Sequence, residues 1–393
     1  MKTEPSTASK PSPRRRFAPA LIPVVLVLLA AMLVGPLAAH LRAASLLLRF
    51  ADENAHGALV DLGRHTVDEE ASTVESPNGP VKVRLYRPRG VADPPGVVLV
   101  HGVHRLGIAE PRLVRFARAV ASSGVLVLTP QVEEIADYRV DPRSIDTIGA
   151  AAAALASRTG GKAGIMGMSF AGGLSLLAAA DPRFADRIGF VVAIGAHDDL
   201  ARVSRFFATN EVERPEGPPV HLQAHGYGML VLVYQRAERF FPKEDVETAR
   251  DVLRLWLWDD RAAARARMGD LGAVACAKLN VLLDGPAELL APEVLAVVAE
   301  DAQAMTTVSP RGHLAALRVP VFLLHGAGDT VIPSAETEWI AREVPPAVLR
   351  NALVSPALVH VELGPETPAS QKWDLVHFMA GVLEEADAAH GGY

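Results

Sequence analysis

Ser169 stands in Gly167-Met168-Ser169-Phe170-Ala171-Gly172-Gly173, a run of small residues around one hydroxyl. A short apolar run, 163–166, precedes it and an Ala/Leu-rich, helix-like segment, 174–180, follows. A serine on a tight turn between a buried strand and a helix is presented as a nucleophile. Side chains two positions to either side of such a serine would meet neighbouring backbone. Gly167 removes that conflict on one side; on the other Ala171 stands in place of a second glycine, so the pattern is G-x-S-x-A.

A serine hydroxyl is a weak nucleophile at neutral pH. It needs an imidazole to take its proton, a carboxylate to fix that imidazole, and N–H groups to hold an oxyanion. The chain supplies candidates in the order Ser, Asp, His. Asp329 lies in His325-Gly326-Ala327-Gly328-Asp329-Thr330-Val331-Ile332-Pro333, beyond the apolar run 321–324. Loops at that end of parallel strands are where α/β sheets place ligands. His360 lies between the last expected strand and the final helix and is the expected base. His377, inside that helix, is its rival and reads better as a surface or packing histidine. The oxyanion donors are expected to be the backbone N–H of Phe170 and that of Val103, in His101-Gly102-Val103. His101 and Gly102 are expected to support that loop, with His104 near the mouth of the pocket.

Two other clusters carry residues of the same types. His197-Asp198-Asp199 follows the run 190–194, so Asp198 or Asp199 is an alternative acid, although capping of the next helix suits them better. His221 and His225 have the i, i+4 spacing of a helical zinc pair, but no third ligand stands near and Gly226 and Gly228 oppose a helix there. No metal site and no cofactor is expected. Phe206, Phe207, Tyr234, Phe240, Phe241, Trp256 and Trp258 read as packing residues, a few of them as walls of an acyl pocket.

These residues need a scaffold, and the hydropathy pattern supplies one. Residues 81–88 alternate apolar and charged, as a half-exposed strand does. Continuous apolar runs at 96–100, 124–128, 163–168, 190–194 and 319–324, with a short one at 352–354, read as buried strands. Helical stretches at 113–121, 145–156 and 373–385 lie among or after them. Strands alternating with helices predict a mostly parallel sheet with helices on both faces. The gap between 194 and 319 is too long for a connection and is helical at 246–258, 260–268 and 292–305, which predicts an inserted helical cap.

The chain has 393 residues, half of them hydrophobic and 21% charged, with a net charge of −6, which argues against a nucleic-acid partner. Its one cysteine, Cys276, excludes an intramolecular disulfide and a cysteine-based metal cluster. Arg14-Arg15-Arg16 precedes a charge-free run, 17–39, long enough to cross a bilayer. The arginines would stay cytoplasmic and the rest of the chain would lie outside. An uncleaved membrane anchor is expected, with a cleaved export signal as the alternative. In the next segment, Leu46, Leu47, Leu48 and Phe50 suit either the membrane surface or the domain.

Taken together, His-Gly at 101–102, G-x-S-x-A at 167–171 and His-Gly-x-Gly-Asp-x-x-x-Pro at 325–333 resemble the α/β-hydrolase superfamily, over about 80–385 without the cap. The resemblance implies an eight-stranded sheet, a Ser169/Asp329/His360 triad and hydrolysis of an ester-like bond. The expected layout is a basic tail (1–16), an anchor or signal (17–39), a juxtamembrane connector (40–79), a core (80–199 and 319–393) and a cap (200–318). The expected partners are a small-molecule or lipid-like ester and the membrane. An acyltransferase on the same triad, or a silent membrane-tethered scaffold, would fit the same pattern.

Overall fold

The computed structural model describes the backbone of residues 21–359, 362–363 and 368–391, and the side chains of 35–358 and 368–391. Eight strands form the central sheet: β1 (Val67–Ser76), β2 (Gly79–Pro88), β3 (Gly96–Val100), β4 (Leu126–Pro130), β5 (Ala163–Met168), β6 (Ile188–Ile194), β7 (Val321–Gly326) and β8 (Leu349–Ser355). Their order is β1-β2-β4-β3-β5-β6-β7-β8. The hairpin partner β2 runs against β1 and β4, and every pair from β4 to β8 is parallel.

The sheet begins upstream of residue 80. β1 is mostly exposed and carries Asp68, Glu69, Glu70 and Glu75, so it lacks the apolar run that betrays a buried strand. β3 is buried on both faces. Alternation along it sends Val97 and Leu99 to one side and Val98 and Val100 to the other. On the first side pack α1 (Leu21–Ala51), α2 (Pro111–Ser122) and the closing helix α12 (Ala369–Gly391). On the second pack α3 (Arg143–Thr159), α4 (Phe170–Ala180) and α11 (Ala335–Glu343).

Between β6 and β7 lies the expected helical insertion. It holds α5 (Leu200–Thr209), α6 (Gly226–Gln235), α7 (Val246–Leu257), α8 (Arg261–Arg267), α9 (Ala273–Asp284) and α10 (Ala291–Met305). Its apolar side chains join the core on the second face of the sheet. Of the seven cap aromatics expected to pack, Phe206, Phe207, Tyr234, Phe240 and Phe241 are buried there.

Helix α1 is one continuous element through residue 51 and so runs into the expected connector. Leu46 and Ala43 are fully buried against α2 and α12. Ser45 and Arg49 are buried too, and both bond the Val60 carbonyl at 2.7 Å. Burial lowers the Arg49 guanidinium to about 10. The expected span 17–39 lies outside the described side chains up to residue 34. Among the described residues, no helix is long and apolar enough to cross a membrane.

Candidate active site

Ser169 follows β5 and precedes α4, at the carboxyl edge of the sheet. Its backbone holds φ 56° and ψ −134°, a strained conformation that L-residues adopt mainly where function requires it. The surroundings force that conformation. The Ser169 N–H donates to the Ile194 carbonyl at 2.7 Å, and the Ser169 carbonyl accepts from Gly172 at 2.8 Å. A Cβ on Gly167 would lie 2.4 Å from Ser175 Oγ and 2.5 Å from the Ala171 carbonyl oxygen, so only glycine fits. Ala171 is fully buried, and its methyl is accommodated in the core. Ser169 keeps 8% of its surface exposed and opens into a cavity of about 470 Å³.

The cavity gathers segments that are far apart in sequence. Ser169, His101, Gly102, Val103, Thr330 and Val331 all line it. Phe170 is the first residue of α4, so its N–H has no partner within the helix. The Gly102–Val103 peptide is held from behind. His101 Nδ1–H donates to the Gly102 carbonyl at 2.9 Å, and His101 Nε2 accepts from the Val132 N–H at 3.1 Å. This pairing fixes a neutral imidazole, and complete burial lowers it to about 4. In a trans peptide the C=O and N–H point oppositely, so the bond to the Gly102 carbonyl sets the direction of the Val103 N–H. Gly102 has ordinary room: an added Cβ would sit 3.6 Å from Ser169 Cβ. Neither steric room nor a positive φ therefore requires glycine at this position.

Asp329 is buried in the loop after β7. Its Oδ1 accepts from the Val331 and Ile332 N–H groups at 2.8 and 3.0 Å. Oδ2 lies 3.7 Å from where a Cβ on Gly195 would stand, immediately after the residue whose carbonyl holds Ser169. His325 stands 3.6 Å from Oδ2 but bonds the Ile332 carbonyl through Nε2 and Thr337 through Nδ1, which leaves it a structural role.

His360 lies outside the described residues. Leu358, just upstream, lines the same cavity as Ser169, and Leu358–Val359 pairs with Glu362–Leu363. The rival His377 is exposed on α12, pairs with His40 of α1 at 2.9 Å and does not line the cavity. The alternative acids are otherwise engaged. Asp199 caps α5 by accepting from Ala201 and Arg202, while Asp198 pairs with the buried Arg202 at 2.8 Å. His225 caps α6 and His221 sits in a two-residue strand, so they do not share a helix. Among the described residues, no group of three or more His, Cys, Asp or Glu could hold a metal ion.

The insertion reaches the site through Tyr227, which the sequence pattern did not single out, and through His225, which it singled out only for metal-ligand spacing. The Tyr227 hydroxyl donates to the Val103 carbonyl at 3.0 Å, and the His225 N–H donates to the Thr330 carbonyl at 2.8 Å. Tyr227, His225 and Leu257 line the cavity, and none of the seven expected aromatics does. The signal for Tyr227 was present as Gly226-Tyr227-Gly228, an aromatic at a helix start, but its partner is 124 residues away in sequence.

No protein-family profile and no curated protein sequence matches the chain. Solved structures do. A Legionella pneumophila protein described as a hydrolase matches with a TM-score of 0.50 and 14% identity, over 82% of this chain and 91% of its own. Acylaminoacyl peptidase of Pyrococcus horikoshii matches at 0.47 and 12%, over 85% of this chain, which spans only 44% of the peptidase. A hyperthermophilic esterase of Pyrobaculum calidifontis matches at 0.45 and 16%, over 89% and 90%. With the strand order and the serine turn, the likeness defines the α/β-hydrolase fold.

Proposed function

We propose that this protein is a serine hydrolase cleaving a carboxylic ester through an acyl-enzyme. Ser169 Oγ attacks the carbonyl carbon as His360 takes its proton. The negative charge on the former carbonyl oxygen is held by the Phe170 and Val103 N–H groups. The C–O bond to the alcohol then breaks, and the alcohol leaves with the proton from His360. Water, deprotonated by the same imidazole, releases the acid and restores Ser169. Asp329 orients His360 and stabilises it while charged. None of these steps calls for a cofactor.

One observation carries this reading. A serine on a strained turn opens into the same cavity as a pre-oriented backbone peptide and the loop of a buried, hydrogen-bonded aspartate. We also infer a membrane location with the domain outside the cytoplasm, supported by the charge-free run 17–39 behind three arginines. The test is hydrolysis of p-nitrophenyl acetate by the full chain in detergent. Ser169→Ala, Asp329→Asn and His360→Ala should each remove most turnover and leave thermal unfolding near that of the parent. Full activity in His360→Ala would overturn the assignment of the base.

A further inference from the structure

The cavity has two unlike kinds of wall. Ser169 and the Gly102–Val103 peptide supply the one. The other is apolar, built by α2 through Leu113 and Phe116, by α12 through Leu375 and Met379, and by α1 through Leu47 and Phe50. Phe50 packs edge-on against Phe116 at 4.9 Å between ring centroids, which ties α1 to α2 at the wall. The two charged side chains in the lining are paired: Glu110 accepts from the Leu113 N–H and pairs with Arg112, both at 2.8 Å, while the Arg115 guanidinium stands over the Phe50 ring at 5.5 Å. A site this apolar, of about 470 Å³, falls within the roughly 300–1,000 Å³ that encloses a small organic ligand.

Helix α1 is also the helix that continues upstream into the charge-free segment, so one element joins that segment to the cavity wall. Its outer side stays apolar as it leaves the domain. Leu37, Leu41 and Leu48 are exposed, and the exposed Trp373 of α12 lies beside them, with its ring stacked on His40 at 5.4 Å. Spacings of four and seven place the three leucines on one side of the helix.

We propose that Leu47 and Phe50 of α1 wall an acyl-chain site, and that the substrate is an amphiphilic ester with a long, unbranched acyl chain. The carbonyl sits at Ser169 and the tail runs between α1, α2 and α12. This rests on the serine-hydrolase reading above and adds the substrate class. A long tail gains about 0.8 kcal/mol per buried methylene, so chain length should govern reactivity.

The test compares p-nitrophenyl laurate with p-nitrophenyl acetate on the full chain in detergent micelles. The parent should prefer laurate in kcat/KM by tenfold or more. Leu47→Trp and Phe50→Trp, which fill the cavity at the end walled by α1, should each lower the laurate-to-acetate ratio at least tenfold. Val274→Trp, on the exposed surface of the insertion, should leave the ratio unchanged. Phe50→Ala, which widens the same end, should move the optimum to longer chains and serves if a tryptophan variant fails to fold. A parent that hydrolyses acetate but prefers it to laurate, or a ratio unmoved by all α1 substitutions, overturns the acyl site alone. A chain that hydrolyses neither ester and is not labelled by a fluorophosphonate overturns the serine-hydrolase reading itself.

Discussion

The Tyr227 hydroxyl donates to the Val103 carbonyl at 3.0 Å, so the helical insertion grips the loop expected to hold the oxyanion. Two residues earlier the insertion also grips the aspartate loop, through the His225 N–H and the Thr330 carbonyl. Insertion and core thus meet at the two loops that must be held still. Tyr227→Phe removes one bond and leaves a carbonyl without its donor, at about 1–2 kcal/mol. We expect turnover of p-nitrophenyl acetate to fall five- to tenfold, mainly in kcat, read by steady-state kinetics. Unchanged kinetics would show that the loop is fixed without the insertion.

His101 faces two backbone groups and is neutral because burial opposes its charge. Its value in the fold, about 4, lies below the ordinary 6.5. The unfolded chain therefore binds a proton first as pH falls. The stability this histidine supports is complete above about 6.5 and is lost as pH drops toward about 4, a change on the order of 3 kcal/mol. Burial also lowers His197, which acts in the same direction. Urea unfolding at pH 7.5 and pH 5 should show a drop for the parent and a smaller drop for His101→Gln. Equal drops would exclude His101 from the effect.

Gly167 and Ala171 flank the serine but differ in tolerance. A methyl on Gly167 would overlap Ser175 and the backbone of Ala171. Gly167→Ala should destabilise by about 1–3 kcal/mol through overpacking and reduce turnover sharply, while Ala171→Gly should keep most activity. Differential scanning calorimetry with parallel kinetics separates the two. An active, stable Gly167→Ala would contradict the tight turn.

Leu46 of α1 is fully buried between α2 and α12. Leu46→Ala should cost about 2–5 kcal/mol, as for other buried leucines. Removing residues 1–45 strips the buried Ala43 and Ser45 from the core and should lower the unfolding midpoint strongly, whereas removing residues 1–34 should not. Equal midpoints for the two truncations would show that α1 is dispensable to the domain.

Much of the scaffold was legible in the sequence because parallel strands buried on both faces leave continuous apolar runs. β3, β5 and β6 fell close to their expected ranges for that reason. β1 was not legible, because one face of it is charged and meets solvent. The sequence left the end of α1 open between membrane surface and domain, because Leu46 and Leu48 look alike in sequence and only the packing of α2 and α12 separates buried from exposed. At the site, Ser169 and Asp329 stand out in the sequence as reactive residues set among small ones. Tyr227 was not, since its role is a single long-range bond to a carbonyl, and a carbonyl carries no residue identity.

The central claim is that Ser169 is an activated nucleophile. Its most direct test is labelling of the full chain by a fluorophosphonate, followed by mass spectrometry of the peptides. One phosphonate on Ser169, absent from Ser169→Ala and slowed in Asp329→Asn, is the predicted result. No adduct on the folded protein, or an adduct on another residue with Ser169 unmodified, would contradict it.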